Sequence, residues 1–258
     1  ADIKLLKGNY LINIGSAFTN NKIDNNNYSL LHKEEKTFAA FSAIQYKSMY
    51  FSFNTVLRKE WQTNFEVPLV PTIASEVKIN SFIKIRAKYN RNFRSPTYND
   101  RFWLGGGSRG NTDLVPEDVW NKEFGLDFNV KNFNISLTAY NLNISDMILW
   151  QQMDNGIWMP NNIKRVFSRG VESYAKFKLK SFSLYGNYAF TKSTSEIATD
   201  ILDNSVGVQL RYVPLHKANI SLLMEKRNLK LCLSNSYTGE VIATYGALEN
   251  TKLDSFIL

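Results

Sequence analysis

The 258-residue chain has one cysteine, two histidines and no long apolar run. Cys232 has no partner for an internal disulfide, and no Cys/His spacing suits a metal site. We read it as a small side chain on a strand. His32 and His216 are far apart and neither sits beside a nucleophile; His216 reads as a polar surface or lumen residue. No stretch approaches about 18 apolar residues, so there is no transmembrane helix. No segment of useful length carries a 3.6-residue period. Gly105-Gly106-Gly107 is flexible loop and not a phosphate cradle, since no Lys-Ser/Thr and no helix follow. Lys and Arg exceed Asp and Glu, 31 to 23, yet no nucleic-acid motif accompanies them. The excess suits lumen faces and lipid head groups. No catalytic constellation is visible, and nothing calls for a cofactor. The start at Ala1 has no basic-then-apolar leader, and the last residues read as the opening of a strand. The chain is expected to be an interior piece of a longer one.

What is abundant is alternation. In Phe82 to Asn92, Ile83, Ile85, Ala87 and Tyr89 share one face; Lys84, Arg86, Lys88 and Asn90 share the other. Phe124, Leu126, Phe128 and Val130 oppose Glu123, Gly125, Asp127 and Asn129, and after Lys131-Asn132 the apolar face resumes at Phe133, Ile135, Leu137 and Ala139. Side chains with a period of two belong to strands, not helices. The same pattern runs through Asn9–Phe18, Phe38–Tyr46, Met49–Leu57, Val171–Leu179, Phe182–Phe190, Ala218–Met224 and Leu229–Leu233. Tight turns are expected near residues 48, 80, 131, 180 and 227. Longer connections are expected over Asn20–Asn27, Arg58–Thr72, Arg91–Glu117, Ile144–Arg165 and Lys192–Pro214. Short turns at one end and long loops at the other is the layout of a transmembrane barrel, whose strands need only about 9–11 residues each. Tyr46, Tyr50, Tyr89, Trp120, Tyr140 and Tyr188 suit an aromatic girdle. The fold class is therefore all-β, an antiparallel transmembrane β-barrel, with residues 1–258 a single partial barrel domain of about eleven or twelve visible strands.

Asn90-Arg91-Asn92-Phe93-Arg94-Ser95-Pro96-Thr97, then Gly110-Asn111-Thr112-Asp113-Leu114-Val115-Pro116-Glu117, then Ala139-Tyr140-Asn141 and Ile144-Ser145-Asp146-Met147-Ile148, and finally Arg169-Gly170-Val171-Glu172 resemble, in order, segments of TonB-dependent outer-membrane receptors. Ile148-Leu149-Trp150 and Gly156-Ile157-Trp158-Met159-Pro160-Asn161-Asn162 look most like receptors for vitamin B12 (cobalamin); ferric-siderophore receptors share most of the pattern. The resemblance implies a bacterial outer-membrane barrel of about 22 strands around a plug, of which this chain is roughly half. It also implies transport driven by the TonB complex acting on a segment before the plug. Neither plug nor TonB-contacting segment is recognised in residues 1–258, so both are expected upstream, with the final strands downstream.

The long loops are functional by default. Trp103, Trp150 and Trp158 are the ligand candidates, because a large ligand needs flat apolar contacts and a few polar groups. Tyr98, Asn99 and Arg109 would add hydrogen bonds, while Arg94 and Pro96 shape the strand exit. Asp113, Glu117 and Asp118 read as solvated or turn-forming, with calcium the sharper alternative; no metal is claimed. Cobalamin import leads, a ferric-siderophore or haem receptor follows, and a passive channel or a soluble β-rich enzyme or carbohydrate-binding module are the other classes. A surface lipoprotein lid touching Trp158 and Met159, and outer-membrane lipid, are further expected partners.

Overall fold

The structure is a computed structural model and describes residues 1–29, 32–153, 155–198, 203–246 and 249–258. Its first strands are β1 (Asp2–Lys7), β2 (Tyr10–Asp24), β3 (His32–Lys47), β4 (Phe51–Gln62), β5 (Val70–Lys78) and β6 (Ile83–Arg94). A helical turn, α1 (Tyr98–Phe102), and a miniature hairpin of β7 (Leu104–Gly105) and β8 (Ser108–Arg109) fill the next loop. The sheet resumes with β9 (Glu117–Val130), β10 (Phe133–Gln152), β11 (Trp158–Leu179), β12 (Phe182–Ser195), β13 (His216–Lys226) and β14 (Leu229–Thr238). β15 (Val241–Thr244) pairs with β16 (Thr251–Leu253), and β17 (Phe256–Ile257) pairs with β14. The main sheet is fifteen-stranded, and its long strands run as antiparallel neighbours in chain order. It is an open sheet: the outer edge of β1 has no partner among the described residues.

The pairing register sorts every side chain. Directly paired residues of antiparallel strands point to the same face. Ile85 pairs with Leu126 and Ala87 with Phe124, whereas Lys84 pairs with Asp127 and Lys88 with Glu123. One face is thus apolar and open to its surroundings, from Ile12 and Phe18 through Phe124, Leu137 and Val171 to Leu222 and Leu233, all at least one-third exposed. An apolar face this extensive has no place on a monomeric soluble protein; it is the lipid-facing band of a membrane barrel. Buried apolar side chains gather instead at the long-loop end, among them Tyr28, Val67, Phe102, Leu114 and Ile148.

The other face is polar and cross-linked. Arg86 holds Asp127 through two bonds, Nε to Oδ2 at 2.9 Å and Nη2 to Oδ1 at 3.1 Å, and also donates to Ser136 Oγ (3.0 Å) and Thr138 Oγ1 (3.2 Å). Lys84 bridges Glu76 and Asp127 at 3.1 and 3.3 Å. Three glycines make room on this face. Arg86 lies across Gly125, Phe41 across Gly15 and Tyr140 across Gly170, in each case the directly paired residue of the next strand. Tyr140, expected in the aromatic girdle, is therefore an inward residue, and its hydroxyl meets Thr191 Oγ1 at 2.8 Å. Tyr89 and Trp120 do stack on the apolar face, ring centroids 5.1 Å apart.

The tight turns stand where expected. Lys131, Lys180 and Arg227 take φ of 37°, 50° and 51°, the left-handed conformation that joins twisted strands through two residues. The long connections are shorter than the alternation suggested. β2 continues through Asn20 and Asn21, β4 runs on to Gln62, and Pro71 lies within β5, paired with Leu57. The expected loop from Ile144 to Arg165 is mostly strand, since β10 and β11 have 20 and 22 residues. The reason is physical. Beyond the bilayer both faces of a hairpin meet water, so pairing persists while the apolar alternation that reveals a strand is lost. Residues 199–202 of the expected Lys192–Pro214 loop lie outside the described residues.

A methyl group on Gly170 would meet Phe190 O and, at 2.6 Å, the Tyr140 hydroxyl. Gly170→Ala is therefore expected to lower the unfolding free energy of the full-length protein by about 1–3 kcal/mol, read by denaturant titration in detergent. Gly186→Ala, whose nearest contact would be Asn219 O at 3.9 Å, is the matched substitution expected to leave the midpoint unchanged; equal midpoints for both would refute the close-approach account.

Candidate functional site

The long-loop end is organised by one folded segment between β6 and β9. Pro96-Thr97 stops the strand, and Thr97 starts α1 as its N-cap: Asp100 N donates to Thr97 Oγ1 at 3.1 Å, and Asp100 Oδ2 accepts from Thr97 N at 2.9 Å. Such reciprocal capping satisfies donors that a five-residue helix otherwise leaves free. Gly110 packs on this turn so tightly that a Cβ would lie 2.6 Å from Phe102 N.

From there the segment reaches both ways across the rim. Toward β2 and β3, Tyr28 Oη donates to Asn99 Oδ1 (2.5 Å), Ser29 N to Phe102 O (2.8 Å) and Leu104 N to Asn27 O (2.7 Å). Arg101 is buried, ion-paired with Glu35, and lies 4.6 and 4.5 Å from the ring centres of Phe65 and Phe102. A guanidinium spreads its charge and tolerates such aromatic packing. Toward β10 and β11, Trp150 Nε1 donates to Asp100 Oδ1 (3.0 Å), Trp158 N to Gly107 O (2.9 Å) and Asn111 Nδ2 to Pro160 O (3.1 Å). Asn162 closes a two-way bond with the Val115 backbone, 3.0 Å each way. Asp100 is thus the common anchor: buried, capping its own helix, holding Trp150 and 3.7 Å from Arg94 Nη1.

Under the bridge lies an open cleft of about 390 Å³, lined by Arg94, Thr97, Asn99, Asp100, Trp103, Ser108 and Trp150. It brings together three of the six residues singled out from the sequence, namely Asn99, Trp103 and Trp150. Tyr98 lies on the other side of α1, where its hydroxyl reaches Asn21 O at 3.4 Å; burial and then the Glu35 charge raise its pKa, so it stays a neutral donor. Arg109 is exposed on β8 outside the cleft, and Trp158, 43% exposed, is not among the cleft's lining residues. Thr97, Asp100 and Ser108 are not among the residues singled out for ligand contact, although Thr97 ends one of the family-like segments; the Thr-x-x-Asp spacing is the available clue.

Two other sequence readings change. Glu117 and Asp118 are not solvated turn residues. Glu117 is buried at the start of β9, accepts from Arg94 Nε at 2.9 Å and from Ile148 N at 2.8 Å, and Asp118 takes a two-point bond from Arg91 at 2.7 and 2.8 Å. The two carboxylates sit on opposite faces of the strand because consecutive residues alternate. Asp113 stays exposed. His216 faces the apolar side and hydrogen-bonds Tyr188 Oη through Nδ1 at 2.8 Å; the His32 side chain lies outside those described.

Trp150→Phe keeps the ring and removes the donor to a buried carboxylate, an exchange that costs about 1.5–3 kcal/mol. Trypsin cleavage after Arg101 or Arg109 in the full-length protein is expected to quicken about tenfold or more. An unchanged rate would show that Trp150 does not hold the bridge.

The geometry has counterparts in known proteins. The family model described as TonB dependent receptor-like, β-barrel, matches residues 3–258. The vitamin B12 transporter BtuB of Photobacterium profundum is 26% identical over 251 residues, which cover 95% of this chain and 39% of that protein. The heme/hemopexin utilization protein C of Haemophilus influenzae is 25% identical over 177 residues, 56% of this chain and 25% of that protein. The chain thus spans well under half the length of these curated relatives. Among solved structures, the siderophore receptor PirA from Acinetobacter baumannii superposes with a TM-score of 0.79 at 15% identity, over 99% of this chain and 46% of that one, a likeness of fold alone. An integral outer-membrane protein, the chain belongs to the TonB dependent receptor-like β-barrel family.

Proposed function

We propose that the whole protein imports a large, scarce nutrient across the outer membrane under TonB-coupled drive, and that residues 1–258 form one partial barrel domain supplying part of its wall and outer rim. Cobalamin is the leading ligand. The observation that carries this choice is the alignment with the P. profundum vitamin B12 transporter over 95% of the chain. The rim cleft supports it physically. Two indoles, a carboxamide and an arginine around about 390 Å³ provide the mix of flat apolar surface and few polar groups that a large planar ligand needs. A ferric siderophore is the second reading; Arg94 lines the same cleft, where its charge is shared with Glu117 and Asp100. The exposed Trp158 ring, held in place through its backbone bond to Gly107, is the residue we assign to contact with a surface lid.

Calorimetry on the full-length protein in detergent tests the ligand. Stoichiometric binding of cyanocobalamin is expected, weakened about tenfold by Trp103→Ala, since stacking on a buried aromatic contributes about 1–3 kcal/mol. A folded protein that binds a ferric siderophore and not cyanocobalamin would overturn the cobalamin assignment and leave the importer standing. Uptake undiminished in cells lacking TonB would overturn energy coupling itself.

A further inference from the structure

We infer that the lipid-facing side of β9 to β12 carries a binding site for the phosphate groups of an anionic membrane lipid, built from Lys122, Asn141, Arg169 and Lys192. The register makes these four one continuous row. Lys122 pairs with Asn141, Asn141 with Arg169, and Arg169 with Lys192. The row stands directly beyond four largely apolar ones, the last of which is Phe124, Ala139, Val171 and Phe190. The site thus begins where the hydrocarbon contact ends. With strands about 4.8 Å apart, three cations fall within about 15 Å of one another.

These cations stand together without counter-charge on the lipid-facing side, whereas Lys176 and Lys178, which also lack an ion pair among the described residues, lie on the polar face. On the polar face Lys84, Arg86, Lys88 and Arg94 each have a carboxylate partner. Among the described residues, Lys122, Arg169 and Lys192 have none. Asp118 is taken by Arg91 at 2.7 Å, and Glu196 accepts from Thr194 Oγ1 at 2.6 Å and has no ion pair among the described residues. Aromatic faces hold two of the cations instead. The Arg169 guanidinium lies 4.7 Å from the Phe167 ring centre and the Lys122 ammonium 5.8 Å from that of Tyr89, which orients the charge without neutralising it. Arg169 and Lys192 are directly opposed, and like charges so placed repel. Arg169 Nη1 is shielded from solvent and makes no hydrogen bond, and such a donor is costly to leave unpaired. Asn141 Oδ1 accepts from Asn143 at 3.3 Å, which leaves the Asn141 NH2 group as a further donor. A phosphate seated on the row would relieve the repulsion between Arg169 and Lys192. Because the row sits on the lipid-facing surface at the edge of the apolar band, its occupant is a lipid head group and not a free anion or the transported ligand.

The test uses the full-length protein, stripped of lipid in detergent and titrated with bisphosphorylated lipid A under native mass spectrometry. Neutralising the row in K122Q/R169Q/K192Q is expected to weaken binding about tenfold or more, since each basic residue near an anionic lipid surface contributes on the order of a few-fold. The charge-keeping K122R/R169K/K192R is expected to stay within about twofold of the parent, and Lys78→Gln, on the polar face, serves as the matched charge change elsewhere. The phosphate-free lipid should bind weakly and equally to all forms. Parent-like affinity in the neutralised variant, with its circular dichroism unchanged, would overturn the proposal. So would equal affinity of the parent for lipids with and without phosphate.

Discussion

Every backbone N–H and C=O that enters a bilayer must find its partner inside the protein, and the whole molecule follows from the way this chain meets that demand. It has no run of apolar residues from which to build a membrane helix, so it crosses by strands, each hydrogen-bonded to the next in sequence. Once pairing is sequential and antiparallel, the period of two sorts residues onto two surfaces without any further instruction. One surface contacts lipid with Phe, Leu, Val and Ile. The other is free to carry charge, because it faces water or protein.

The consequence is an inversion of the usual core. Apolar side chains along the membrane strands are exposed, while the buried ones sit at the loop end, in the bridge that α1 and its flanks form over the rim. Rigidity of the wall comes from polar cross-links, such as the Arg86 fork on Asp127, and from large side chains laid across paired glycines. Rigidity of the rim comes from Asp100 and Arg101, consecutive residues whose side chains tie α1 to opposite sides of the opening. A ligand-binding mouth on long loops needs such ties, since ordering the loop at the moment of binding would subtract from affinity.

The charge asymmetry between the two faces links architecture to environment. Several inward cations, Lys84, Arg86 and Lys88 among them, are matched by carboxylates within the chain, and the outward row on β9 to β12 is not. The same +8 excess that carries no information as a total becomes informative once register assigns each cation to a surface.

Much of this was legible in the residues themselves. Alternation in Phe82–Asn92 and Trp120–Val130 specified strands and their two faces, because side-chain direction in a strand depends only on parity. The tight turns at Lys131, Lys180 and Arg227 were legible because two polar residues between alternating runs leave no other connection. The extended arms of β10 and β11 were not, since water on both sides removes the pattern. Nor was the cleft: that Asn99, Trp103 and Trp150 converge while Tyr98, Arg109 and Trp158 diverge depends on how α1 is rotated by its ties to Tyr28, Glu35 and Trp150. Those contacts join residues between 50 and 71 positions apart. The sequence by itself determined a lipid-facing antiparallel sheet, because its periodicity is local. Only the tertiary structure decided which loop residues share a cleft and which cations share a row, because both are set by register and by contacts between distant strands.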